Sequence, residues 1–444
     1  MLKILVVNDV FPHIKNRTTI LFKNIVPIIK KKLDVKIFWV ITDNYGEISK
    51  ITDPNYEILY LSSFNNAREI LEEIKPDLCC HLVGPSIIDY AFMEAERSLN
   101  IPNFGYADSH YILSHENNEI IVGDYFRDQT SKQKIFSENV KQFFERKNLS
   151  EEDNIKASRG KNFLKKCLFL IKTLRSIGKS RKEITVLLFE FLKLLYFTPP
   201  TKFNEKFNCD LIFTESLGHT EYLQISGLKK ENIRAVGNSA FDNAFEKRNQ
   251  TKSNNNNILR ILFITANLGS GQGKTDFSKS KRNQMINKTI LKLQELKKEF
   301  SLIIKIHPAS ENYTEFKQFV GKSENIHLSQ KDDIIELLTE TDIVITPITS
   351  TAAVIALIMN KPIILWNYFH AEWDLLLRKN VVLECKNETE LGYCIDSVEM
   401  FRKNNSEKIN QFILENFGYG NASQRIVNEI LDLIKKQKPQ LNEK

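Results

Sequence analysis

The chain is short of several features that would have fixed its class at once. Its six cysteines, Cys79, Cys80, Cys167, Cys209, Cys385 and Cys394, contain no CxxC spacing. That excludes a zinc ribbon and a disulfide framework, and reads as reduced packing residues of a cytosolic protein. No apolar run reaches the roughly 18–20 residues needed to span a bilayer. The opening MLKILVVNDVFP has a short apolar run without a small-residue cleavage site, so it reads as a first strand rather than a signal peptide. No short-period repeat and no nucleic-acid module is visible, so nucleic acid is not an expected partner.

A P-loop is also missing, although Ala266–Thr275, ANLGSGQGKT, invites one. The motif needs Gly five residues before the Gly of Gly273-Lys274, and Leu268 stands there. The loop still reads as a Gly-rich wall in which Gly269, Gly271 and the charge of Lys274 approach a diphosphate.

What remains is an ordinary globular composition, 42% hydrophobic and 26% charged over 444 residues, long enough for two or three domains. Short apolar runs alternate with helical patterns from residue 2 to 106, again from 209 to 236, and again from 259 to 366. Such alternation predicts parallel sheets covered by helices on both faces. Residues from about 125 to 200 break the rhythm as a helical, Lys/Phe/Leu-rich insertion. The Asn-rich QTKSNNNN reads as a linker. The expected domains are therefore 1–248, a linker at 249–257, 258–420, and a terminal helix and tail at 421–444. Ile426, Ile430, Leu433 and Ile434 are expected on one face of that helix.

The second domain carries the densest chemistry. SLIIKIHP is a strand ending in Lys305, His307 and Pro308. DIVITPITSTAAVIALIMNKPIILW reads strand, turn, helix, strand. Hydroxyls of Thr349, Ser350 and Thr351 at a helix N-terminus would place free N–H groups where a phosphate binds. His307 would reach the same crevice, because open α/β sheets bind ligands at the carboxyl ends of their strands. Simple helix capping by these three hydroxyls, and a snorkelling surface role for Lys305, are the plain alternatives.

In the first domain, strand ends offer Asp9, Asp108 and His110 as candidate bases for an acceptor hydroxyl. His81 lies within a strand and reads as a packed core histidine. Between Lys156 and Lys182 ten Lys and Arg residues occur with no acid, interleaved with Phe163, Leu164, Leu168 and Leu174. A basic amphipathic helix of this kind suits an anionic membrane surface or an anionic partner, and equally an ordinary insertion with a solvated basic face.

These residues resemble a known superfamily. DLIFTESLGHT and IRAVGNSAFD resemble the strand, helix and GN-x-x-FD junction that precede the second domain of GT-B enzymes. IIKIHP and TSTAAVIAL…KPIILW resemble the nucleotide-binding half, and GYGNASQRI resembles its terminal helix, which often crosses back to the first domain. The His-Pro dipeptide followed by a Ser/Thr pair is most like CDP-glycerol glycerophosphotransferases and bacterial polysialyltransferases. The resemblance covers about residues 205–435.

It implies a GT-B fold, two Rossmann-like domains facing a cleft, with a nucleotide-sugar donor as substrate and no cofactor. It implies that His307 contacts the nucleotide and that Ser350 and Thr351 contact its phosphates. The reaction expected is metal-independent, inverting sugar transfer to a glycan or lipid-linked acceptor, with the enzyme in the cytoplasm or peripheral to the inner membrane face. A CDP-polyol phosphotransferase and a non-catalytic glycan-binding protein are the alternatives. Two positions depart from the relatives. Ile355 replaces a ribose-holding Glu, for which Glu372 or Asp374 would substitute. UDP-N-acetylglucosamine 2-epimerases carry a His-Arg-x-Glu-Asn loop where this chain has Ala266-Asn267-Leu268-Gly269, which speaks against epimerase activity.

Overall fold

The computed structural model describes residues 1–13, 17–45, 50–83, 86–107, 113–116, 119–122, 151–196, 207–225, 227–250, 258–266, 279–296, 298–308, 311–320, 323–370 and 374–437. The strands are β1 (Leu2–Val10), β2 (Val35–Tyr45), β3 (Tyr56–Tyr60), β4 (Leu78–Leu82), β5 (Asn103–Tyr106), β6 (Leu113–Glu116), β7 (Glu119–Val122), β8 (Leu211–Thr214), β9 (Ile233–Ala235), β10 (Leu259–Ile264), β11 (Phe300–Lys305), β12 (Ile326–Ser329), β13 (Ile343–Thr346), β14 (Ile363–Trp366) and β15 (Leu383–Cys385).

Two compact units result. The first comprises 1–110, 126–240 and 421–444, the second 111–125 and 241–420. The chain passes to the second unit at Ala240–Phe241, ahead of the Asn-rich run. Phe241 packs edge-on to Phe417, and Lys247 pairs with Glu336.

The first unit holds a seven-stranded sheet in the order β3-β2-β1-β4-β5-β8-β9. Every pairing in it is parallel, as the alternation of strands and helices predicts. β1 is central because Ile4, Leu5 and Val6 are apolar on successive positions and bury both faces. Its helices start on side-chain caps. Asn66 accepts the Glu69 N–H at 3.0 Å, and Ser86 accepts that of Asp89 at 3.3 Å. The helix Ile87–Leu99 ends on Asn100, whose φ of 53° is the left-handed turn that Asn tolerates.

The terminal helix Ala422–Gln437 joins this unit. Ile426, Val427, Ile430, Leu431 and Ile434 bury into the same core as Leu21, Phe22 and Ile25 of helix Arg17–Lys30. Leu433, expected on that face, is only partly buried, and Leu431 takes the inner position. The insertion folds as helices Glu151–Ser176 and Arg181–Tyr196.

The second unit holds a six-stranded parallel sheet in the order β12-β11-β10-β13-β14-β15. Numbered within the unit this is 3-2-1-4-5-6, the Rossmann order, and it reverses direction between β10 and β13. The 13 residues from Met359 back to Pro347 read as strand exit, turn and helix. Its core is formed by Ile261, Phe263, Leu302, Ile304, Ile343, Ile345, Ile364 and Trp366. All six cysteines are free and five are buried, as packing residues are.

Candidate functional site

The strand order reverses between β10 and β13, and in doubly wound sheets such a switch point is where the carboxyl edge holds a ligand crevice. Phe263 of β10 pairs with Ile304 of β11 on one side and Ile345 of β13 on the other. The segments that follow, Ile306–Pro308 and Pro347–Thr351, therefore leave one edge of one sheet, on either side of β10. Sequence reasoning placed His307 and the Thr349–Thr351 hydroxyls together, and the sheet register brings them to this common edge.

The turn after β13 is held by a residue twenty-five positions further on. Asp374, fully buried, accepts the Thr349 N–H at 2.6 Å and the Thr349 hydroxyl at 2.7 Å. The same carboxylate caps the short helix Leu375–Arg378 by accepting the Leu376 N–H at 3.0 Å. Burial raises its pKa, and these donors oppose the rise. The expectation that Asp374 holds a ribose is corrected by this arrangement. Its oxygens are inside the protein, where they fix the turn.

With the turn fixed, helix Thr351–Ile358 begins at Ser350, whose hydroxyl accepts the Ala353 N–H at 3.2 Å. The Val354 N–H returns to the Ser350 carbonyl at 2.9 Å. Among the described residues the Thr351 and Ala352 amides take no such partner, and Thr351 is exposed. The helix therefore presents two amides, a hydroxyl and the positive end of its dipole at the crevice. Behind them Ile355 is buried in apolar packing, with no carboxylate there to meet a sugar ring.

His307 is set by a second clamp. The buried Glu311 carboxylate accepts the His307 backbone N–H at 2.9 Å and the hydroxyl of Thr265 at the end of β10. Arg282 donates to Glu311 at 3.3 Å and to Glu315 at 3.2 Å, its guanidinium lying 4.5 Å from the Phe316 ring centroid. Gln330 donates to the His307 and Glu311 carbonyls at 3.3 and 2.8 Å. Half-burial lowers the His307 pKa, with Glu311 pulling the other way and Lys305 adding to the fall. The ammonium of Lys305 donates to the Gln330 and Asp332 carbonyls at 2.8 Å each, from a half-buried stem.

Sequence reasoning missed Glu311 and Arg282. The available signal was an acid four residues after His307, preceding a helix. Of the other candidates, Gly269, Gly271, Lys274, Glu372, Asp108 and His110 lie outside the described residues. Asp9 lies in β1, with its side chain outside them.

Among the described residues of the first unit, two buried polar groupings bear on chemistry. His81 on β4 is buried, as read from the sequence, but it is charged rather than apolar in its packing. Its Nδ1 lies 3.0 Å from Asp89 and its Nε2 2.9 Å from Glu96. Burial alone would lower its pKa. The two carboxylates outweigh that and push it up to about 10. Glu96 also accepts from Asn103 at 2.8 Å.

The second grouping was not foreseen. Glu215 follows β8, buried, and accepts from Asn238 Nδ2 at 2.5 Å. Burial pushes its pKa up to about 8 against the opposing charge of Arg17. It stands at a parallel strand's carboxyl end, which is the position where such a group can take or give a proton near neutral pH.

The family model for UDP-N-acetylglucosamine 2-epimerase matches residues 208–431, just over half of the chain. No protein with a curated description matches it in sequence. Solved structures share the fold at low identity. One, provisionally assigned as a UDP-N-acetylglucosamine 2-epimerase from Listeria monocytogenes, is 13% identical with a TM-score of 0.52, over 99% of this chain and 97% of that one. A second UDP-N-acetylglucosamine 2-epimerase is 14% identical with a TM-score of 0.50, over 100% and 99%. The wall teichoic acid polymerase TagF is 12% identical with a TM-score of 0.52, over 98% and 90%. Together these likenesses show the fold, two parallel-sheet α/β units of the GT-B type.

Proposed function

This chain belongs to the UDP-N-acetylglucosamine 2-epimerase family, and from that footing we propose that it acts on a nucleotide-linked sugar held by its second unit. The observation that carries the reading is the turn Thr349–Thr351, fixed by buried Asp374 so that a helix N-terminus starts on the sheet edge that also carries His307. Two backbone amides, the Thr351 hydroxyl and the His307 imidazole suit a diphosphate, and they would stabilise the negative charge that develops when the bond to the sugar breaks.

Within that class we favour transfer of the sugar to a glycan or lipid-linked acceptor. The shared fold with TagF supports it, as does the loop Ala266–Gly269, which carries no acid, base or cation. The acceptor base would come from the first unit, with Asp9, Asp108 and His110 as candidates and Glu215 added by its burial. The alternative is transfer of a polyol phosphate from a CDP-linked donor, in which the pyrophosphate bond breaks and CMP leaves.

The second reading is epimerisation at C2 of UDP-N-acetylglucosamine, favoured by the family match itself. Inverting C2 requires its C–H bond to break, so solvent hydrogen enters the sugar. The test incubates the protein with UDP-N-acetylglucosamine in deuterated water, with and without oligosaccharide acceptors, and repeats it with CDP- and CMP-linked donors. Nucleotide release that depends on acceptor, without deuterium at C2, is the transfer result. Deuterium at C2 without acceptor is the epimerase result. No binding of any of these donors by calorimetry overturns both.

A further inference from the structure

The two helices of the insertion, Glu151–Ser176 and Arg181–Tyr196, carry a face that nothing in the nucleotide site explains. Their inner sides are accounted for. Phe169, Leu170, Thr173 and Leu174 are buried, with Phe169 against Phe92 at 6.1 Å between ring centroids. Ile184 and Phe191 are buried, and Phe191 stacks on Tyr90 at 5.7 Å. Both helices thus rest on the same helix, Ile87–Leu99.

The opposite sides are different in kind. Leu164, Leu168, Lys172 and Arg175 recur at the spacing of one helix face, and all four are exposed, with Lys165 beside them. Leu168 is 56% exposed. On the next helix Lys182, Val186 and Phe189 share the outer side, and Phe189 is 70% exposed. Water gains nothing from an exposed Leu-Leu pair and a Phe set among cations. The acid on this side, Glu183, is engaged as the helix start. It accepts the Ser180 N–H at 2.8 Å while the Ser180 hydroxyl accepts the Glu183 N–H at 3.3 Å. Lys179 reaches Glu94 at 4.0 Å, and Arg181 and Lys182 remain exposed.

We propose that this outer face of the insertion docks the protein on an anionic lipid bilayer, with Leu164, Leu168, Val186 and Phe189 entering the headgroup–acyl boundary and Lys165, Lys172, Arg175, Arg181 and Lys182 pairing with lipid phosphates. The occupant follows from charge and polarity together. The face is positive, so its partner is anionic. Its apolar side chains are large, few and interleaved with the cations, which suits a bilayer interface and would be wasted on a soluble polyanion. Among the described residues no helix is long and apolar enough to cross the membrane, so the attachment is at the surface.

The test is co-sedimentation of the full chain with vesicles of phosphatidylcholine alone and of phosphatidylcholine mixed with phosphatidylglycerol, at low and high salt. The expected result is binding to the mixed vesicles only, weakened by salt. A triple substitution Lys165→Gln, Lys172→Gln and Arg175→Gln should lower the partition coefficient by about a hundredfold, since each cation near such a surface is worth about fivefold. Leu164→Ser, Leu168→Ser and Phe189→Ser together should lower it by at least as much. These positions are exposed, so circular dichroism and nucleotide binding should stay unchanged. Equal binding to neutral vesicles, or none to either, overturns the proposal. Retained binding of heparin or RNA by the Ser variant, with no vesicle binding by the parent protein, assigns the face to a soluble polyanion instead.

Discussion

The Asp374 carboxylate, fully buried, accepts both the backbone N–H and the hydroxyl of Thr349, at 2.6 and 2.7 Å. One side chain therefore fixes the turn that starts the helix at the crevice. The same carboxylate starts the helix Leu375–Arg378, so one side chain ties the Thr349 turn to that helix start, and together they are a single clasped object.

Asp374→Ala should unfasten that object. Two donors on Thr349 and the cap of a second helix lose their acceptor inside the protein. Charge-assisted hydrogen bonds are worth about 1.5–3 kcal/mol each, so a stability loss of about 3 kcal/mol is expected by urea titration. Nucleotide affinity should fall by more than about tenfold. Wild-type affinity in a folded Asp374→Ala protein would refute the clamp.

Ser350 and Thr351 should separate capping from ligand binding. Ser350→Ala removes the cap on the Ala353 N–H and should cost about 1 kcal/mol of stability. Thr351→Ala removes an exposed hydroxyl, so its stability should not move while nucleotide affinity drops by about fivefold to tenfold. A calorimetric titration with UDP on both variants reads the difference.

Glu311→Gln tests the second clamp. Arg282 would then be buried, with its remaining carboxylate, Glu315, only partly enclosed. Breaking one partner of a buried ion pair costs about 3–5 kcal/mol. Replacing Arg282 by Met together with Glu311 by Leu should recover part of that stability. It should leave the His307 N–H without its acceptor, so nucleotide binding should stay impaired. Full recovery of binding in the double variant would show that Glu311 does not set His307.

Two buried histidines give stability opposite pH limbs. His219 is nearly inaccessible, and burial pushes its pKa down to about 4. The unfolded chain takes up its proton first, so stability is lost as pH falls from about 6.5 toward 4, by about 3 kcal/mol at the end of that range. His81 is raised to about 10 by Glu96 and Asp89, against its own desolvation. Its stabilisation is fully present below about 6.5 and is lost as pH rises toward 10. Urea titrations at a series of pH values should show both limbs. His219→Gln should flatten the acid limb alone, and His81→Gln the alkaline limb alone. An unchanged acid limb in His219→Gln would reject the first assignment.

The parts of this protein that were legible in its sequence are those set by neighbours along the chain. The alternating pattern predicted two parallel sheets. Leu302–His307 and Thr349–Thr351 marked the carboxyl ends of strands, because apolar runs that stop at hydroxyls, histidine or proline are local signals. The strand Phe300–Lys305 ends two residues before His307, so even there the boundary was approximate. The helices Glu388–Asn404 and Ser406–Phe417 went unread, although Asn387 caps the first of them by accepting the Glu390 N–H.

The sequence by itself determined the architecture and the residue types at the crevice. Tertiary structure decided what those residues do. Asp374 was expected to meet a ligand and instead accepts from Thr349, and Arg282 and Glu311 meet across a helix and a strand exit. His81, read as core, is buried, and the structure sets both its ring nitrogens against carboxylates of the helix beside it. The terminal helix belongs to the first unit, because five of its apolar residues complete a core begun at residue 2. Periodicity records which face of an element is buried. It does not record which distant donor or charge lies on the other side, and in a low-dielectric interior that partner sets pKa, rigidity and role.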